Sequence, residues 1–290
     1  MERFRVLTTR DGAEISYRVA RGETPRRVMV LIHGMASNMT RWSEFVEQTS
    51  LRDSWDLLRL DLRGNGQSIH RERITMEAWC EDLAAILDRE GYARAVLVGH
   101  CLGANMAVRF AARYPVRTAG LALIEPLFPQ SFAGALKKVQ SVKKLLPPVI
   151  FLIHLLNRLG LYRRHFPLLD LQKLDLETRA FMSSAGTPEA LVKRYASLGF
   201  DLRFMPTAAY AQSLRELLRP LPLLENVTMP VLLLFSTGKV FSDPDRARRL
   251  CEYLENRETV ALDSHHWIPT EKPDEMRAAI ERWCRGLTFF

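Results

Sequence analysis

Cysteine is scarce. The 290 residues hold four, Cys80, Cys101, Cys251 and Cys284, and no two form a CxxC pair. That spacing offers neither a disulfide framework nor a zinc site, so no cofactor or metal is expected. A long unbroken apolar run is missing too. The most apolar stretch, LLPPVIFLIHLLNRLGLY, is interrupted by Pro147, Pro148, His154, Asn157 and Arg158, and makes a poor transmembrane helix. The N-terminal MERFRVLTTRDG alternates like a strand and has no apolar signal region, so no secretory leader is expected and a reducing cytoplasm is the default. No internal repeat or low-complexity tract is visible. The net charge of +8 comes without a nucleic-acid recognition motif, which argues against that class of partner.

What is present is ordinary for a soluble globular chain, with 47% hydrophobic and 26% charged residues. Such a chain buries enough apolar surface to need no covalent staple. Much of the basic excess lies in Lys137, Lys138, Lys143, Lys144, Arg158, Arg163 and Arg164, which flank the broken apolar stretch. Two readings stand: a lobe helix with solvated basic ends, or a peripheral contact with a membrane surface.

Short apolar runs alternate with helical patterns, the signature of a mostly parallel sheet with helices on both faces. Eight strands are expected: FRVLTT, EISYRV, VMVLIH, DLLRLD, AVLVG, GLALIE, VLLLF and TVAL. The first two form a hairpin around Asp11-Gly12. Helices fit MEAWCEDLAAILDRE, LGANMAVRFAARY, DPDRARRLCEYLE and PDEMRAAIERWC, each apolar at three- and four-residue steps. Between Leu127 and about Pro222 the alternation lapses into several helices with no obvious strand. The expected organisation is a core of residues 1–127 and 223–290, interrupted by a helical cap lobe of residues 128–222.

In AVLVGHCLGANMAVRFA an apolar strand runs into Gly99-His100-Cys101-Leu102-Gly103, and a helix leaves at once. This is a Gly-x-nucleophile-x-Gly turn. A side chain at 99 or 103 would crowd the corner or the helix packed beside it. The turn would expose the Cys101 sulfur at a helix N-terminus, where partial positive charge favours thiolate. His100, inside the motif, reads as structural.

This turn resembles the nucleophile elbow of the α/β-hydrolase fold family, in a branch with cysteine where most members carry serine. The implied fold is a mostly parallel eight-stranded sheet with an inserted helical cap. LIHGMASNMTRW resembles the family's His-Gly oxyanion loop. The resemblance implies oxyanion N–H donors at Met35 and Leu102, with His33 shaping the loop. DLRGNGQS matches the family's turn at Asp61, Arg63, Gly64, Gly66 and Ser68, which reads as architectural. DSHHWIPTEKPDEM is similar to the loop bearing the catalytic histidine, and counting back from Glu271-Lys272-Pro273 gives His266, not His265. The position where the family usually keeps its acid is Lys239, which cannot stabilise an imidazolium. Glu125 at the end of GLALIE is one candidate acid, Asp243 is an alternative, and a site with no acid is the third. Asp243 also reads as a helix cap before Pro244.

A cysteine nucleophile implies an acyl thioester intermediate. The expected activity is hydrolysis of an ester, thioester or lactone with a hydrophobic acyl group, free or carrier-linked. An acyltransferase or condensing enzyme with the same Cys101–His266 pair is the alternative, and a non-catalytic ligand-binding homologue is the third. Dehalogenase and epoxide-hydrolase chemistry calls for an aspartate at position 101. The oligomeric state is not legible.

Overall fold

The computed structural model describes residues 2–22, 27–184, 186–222 and 224–288. All eight expected strands form: β1 (Glu2–Thr8), β2 (Glu14–Ala20), β3 (Val28–Ile32), β4 (Asp56–Leu60), β5 (Ala95–His100), β6 (Thr118–Ile124), β7 (Val231–Ser236) and β8 (Arg257–Leu262). They make one sheet in the order β1-β2-β4-β3-β5-β6-β7-β8. The β1–β2 and β2–β4 pairs are antiparallel and the other five are parallel. The hairpin turns at Gly12, whose φ of +81° suits a residue without Cβ.

The helices are α1 (Ser43–Gln48), α2 (Met76–Glu90), α3 (Leu102–Arg113), α4 (Gly134–Ser141), α5 (Leu146–Arg158), α6 (Leu171–Ser184), α7 (Pro188–Tyr195), α8 (Leu198–Asp201), α9 (Thr207–Leu217), α10 (Pro244–Leu250), α11 (Ile268–Glu271) and α12 (Pro273–Gly286). Every residue of β3 is buried, and its side chains alternate between two cores. Val28, Val30 and Ile32 pack with Trp79 and Leu83 of α2 and Met106 and Phe110 of α3. Met29 and Leu31 pack on the other face with Phe45 of α1 and Ile280 and Trp283 of α12. A strand covered on both faces must be apolar throughout, which is why these runs were legible.

One expected helix is shorter. DPDRARRLCEYLE is helical only to Leu250. Beyond it the bonds tighten to three-residue turns, Cys251 N–H to Arg248 O and Leu254 N–H to Cys251 O, and both side chains are buried there.

Among the described residues, no strand lies between β6 and β7; α4 to α9 occupy that span. Residue 223, the expected cap boundary, lies outside the described residues. Side chains tie the helical span to the core: Gln212 Oε1 accepts from Ile74 N–H at 2.9 Å, and Glu216 Oε2 from Met76 N–H at 3.1 Å.

Candidate active site

Cys101 sits between β5 and α3 with φ +55° and ψ −117°, a conformation that L residues rarely adopt. Its N–H donates to Ile124 O at 2.9 Å, and its carbonyl accepts from Ala104 and Asn105. A Cβ at Gly99 would run into the Gly103 carbonyl, and one at Gly103 into the carbonyl oxygens of Ile32 and His33. The two glycines therefore let β5, α3 and the end of β3 close on one another. Cys101 is only 8% exposed. The turn presents it not directly to bulk solvent, as its place on the elbow suggests, but to a partly open cavity of about 380 Å³.

The rings and carboxylate beside it come from two other strand ends. His266, on the loop between β8 and α11, is almost fully buried and lines the same cavity. Its Nδ1 lies 3.0 Å from Glu125 Oε2. Glu125 follows β6 directly with φ +52°, and its Oε1 accepts from Ser236 N–H at 2.5 Å. Burial alone would push the His266 imidazolium down. Hydrogen bonds and charge from Cys101 and Glu125 outweigh that and raise it to about 10. A base at the cavity, linked to a thiol on one side and a buried carboxylate on the other, is equipped to move a proton to and from sulfur.

The other candidates fall outside this chain of contacts. Asp243 caps α10, accepting from the N–H groups of Asp245 and Arg246, and pairs with Lys239 Nζ at 3.2 Å. His265 Nδ1 lies 2.8 Å from Glu271, and its side chain is one-third exposed. His100 is buried, and burial first, then the His266 charge, hold it well below its ordinary value. Its Nε2 meets His266 O at 3.1 Å, fixing the loop that carries His266. His33 is pushed down to about 4 by burial; its Nε2 accepts from Leu62 N–H, leaving Nδ1–H to donate to Gly34 O. Asp61 accepts from Met39 N–H at 2.6 Å and Gln67 N–H at 2.8 Å, so DLRGNGQS holds loops together. Met35 lines the cavity beside Cys101. Leu102 opens α3, where an N–H has no intrahelical acceptor.

Cys80, Cys251 and Cys284 are buried and pushed up to about 12 by burial, which leaves them inert. Among the described residues, no group of three His, Cys, Asp or Glu side chains is placed to hold a metal.

The cavity is mostly apolar. Leu136 and Val139 of α4, Leu174 of α6, Leu214 of α9, Phe241 and Trp267 all face it. Phe241 meets the His266 ring edge-on at 4.8 Å. Three polar residues at this cavity were not legible in the sequence. Arg41 forms a 2.5 Å ion pair with Asp175, whose Oδ1 also accepts from Tyr195 Oη–H at 2.7 Å, and both Arg41 and Tyr195 line the cavity. Asp201 lines it too and is raised to about 7 by burial. Arg41 sits in the MTRW segment that follows the His-Gly loop, which is the one available signal.

A family model described as the alpha/beta hydrolase fold matches residues 27–273. Epoxide hydrolase 4 of Homo sapiens is 26% identical over 274 residues, covering 88% of this chain and 72% of that protein. An sn-1-specific diacylglycerol lipase of Mus musculus is 22% identical over 278 residues, covering 92% and 83%. Among solved structures, a thermophilic esterase from Thermogutta terrifontis superposes with a TM-score of 0.71 at 20% identity, covering 99% of this chain and 100% of that one.

Proposed function

The chain belongs to the α/β-hydrolase fold family, and from that premise we propose that it hydrolyses acyl esters, thioesters or lactones through a covalent acyl-Cys101 intermediate. The observation that carries this reading is the buried line from Cys101 through His266 to Glu125 at one wall of an apolar cavity.

With His266 already holding the proton, the Cys101 sulfur attacks the acyl carbonyl carbon. A C–S bond forms, the carbonyl π pair moves onto oxygen, and the N–H groups of Met35 and Leu102 receive the oxyanion. On collapse the leaving group departs with the proton from His266. Water, deprotonated by His266, then attacks the thioester and releases the acid and Cys101. Glu125 holds the Nδ1–H throughout and stabilises the imidazolium. The apolar lining supports a hydrophobic acyl group. The diacylglycerol lipase among the relatives agrees with such a substrate.

Epoxide opening, the activity in another relative's name, fits less well. Sulfur attacking an epoxide carbon gives a thioether, which water cannot hydrolyse, so the enzyme would be consumed in one turnover.

Intact-mass measurement after mixing with a panel of activated acyl donors tests the proposal. A single acyl adduct is expected on the parent and none on Cys101→Ala; an adduct of equal yield on the alanine variant would remove Cys101 from the mechanism. Product analysis with added amine, thiol or alcohol then separates hydrolysis from acyl transfer.

A further inference from the structure

The helical span between β6 and β7 carries an apolar face that none of the described residues covers. In α5 only Ile150 is buried, while Phe151 is 70% exposed and Leu152, Leu155, Leu156 and Leu159 are also open to solvent. Leu145 just before the helix and Leu161 just after it continue the face. This is a contiguous patch, unlike the scattered apolar residues normal on a soluble surface.

Its rim has one sign of charge. From Lys137 to Leu169 the chain holds seven Lys and Arg and no Asp or Glu. Lys137, Lys138, Lys143 and Lys144 lie before α5, and Arg158 and Arg164 at or beyond its end; all six are exposed. Arg163 is engaged elsewhere, donating to the carbonyls of Leu202 and Arg203. A second copy of the chain is a poor occupant, because a two-fold contact through this face would set two cationic rims against each other.

On its own α5 is too short to cross a membrane. At 1.5 Å per residue, the 13 residues of α5 reach about 20 Å, short of the roughly 30 Å of a hydrocarbon core. Among the described residues no single helix is long and apolar enough; α4 and the Lys143–Arg158 segment together reach that length and composition, but they meet at a 61° bend. An exposed apolar helix with a basic rim lies in the plane of a membrane surface instead.

We propose that α5 and its flanks dock the protein on an anionic bilayer surface, with the apolar face among the acyl chains and the basic rim on lipid phosphates. The adjoining α4 lines the cavity with Leu136 and Val139, so docking places the Cys101 cavity close to the lipid. Docking does not depend on the reaction proposed above.

Flotation of the full chain with phosphatidylcholine vesicles, with and without phosphatidylglycerol, tests it. Binding to the anionic vesicles is expected, weakening as salt rises. Phe151→Ser with Leu155→Ser should lower the partition coefficient at least about tenfold. Lys143→Glu with Lys144→Glu should do the same on anionic vesicles only. These residues are exposed, so thermal unfolding should be unchanged. No flotation with anionic vesicles would overturn the proposal. So would light scattering that shows a dimer abolished by the Ser pair while vesicle binding stays absent.

Discussion

Glu125 bonds with both carboxylate oxygens at once: Oε1 takes Ser236 N–H from the end of β7, and Oε2 meets His266 Nδ1 at 3.0 Å. The acid thus reaches the histidine from the end of β6, while the chain's Lys239 lies beyond β7, where its family usually keeps the acid. Because the first oxygen is pinned to backbone, the second has little freedom to leave the ring.

Glu125→Gln should therefore slow turnover by about tenfold to a hundredfold, within the range for acid–base support. It should also move the pH profile. Glu125 is one of the groups that raise His266 to about 10, so its removal lowers that value. The alkaline limb, where His266 loses its proton and can no longer protonate the leaving group, should then shift to lower pH. A kcat/KM profile with an unmoved alkaline limb would detach Glu125 from His266.

The two histidines of the loop should separate cleanly. His266→Ala should cost about a hundredfold or more in kcat. His265→Ala should cost far less, since its ring is committed to Glu271 away from the cavity. Steady-state rates with any donor that acylates the parent decide the matter, and the reverse order would move the base by one residue.

Asp243→Asn should leave turnover nearly unchanged and lower the melting temperature slightly, because its oxygens cap α10 and meet Lys239. Lys239→Asp should add no activity, as His266 Nδ1 already has its acceptor. A gain in rate from Lys239→Asp would mean that Glu125 does not serve in solution.

Gly103→Ala tests the elbow itself. A methyl there strikes the backbone of Ile32 and His33, neither of which can step aside without shifting β3. A loss of about 1–3 kcal/mol in urea unfolding is expected from such overpacking.

The fold was legible because its strongest signals are local. Strands such as VMVLI and VLLLF are apolar without interruption, and the helix of MEAWCEDLAAILDRE begins and ends where Thr75 caps it and Gly91 turns left-handed. Cys101 and His266 were legible through the motifs around them. Glu125 could only be ranked among three options, since nothing within its own segment says which residue it will meet 141 positions later. Arg41, Asp175 and Tyr195 were missed for the same reason: Arg41 and Asp175 are 134 residues apart, and each alone reads as an ordinary surface side chain.

Among the described residues, three that are not glycine hold a positive φ: Ala36, Cys101 and Glu125. Two of them are the sulfur and the carboxylate that flank His266. Each such backbone costs of order 1–3 kcal/mol, and glycine would relieve it at both places. A lineage that no longer needed the chemistry would gain stability by letting both side chains go, so mutational drift runs against the site at every generation.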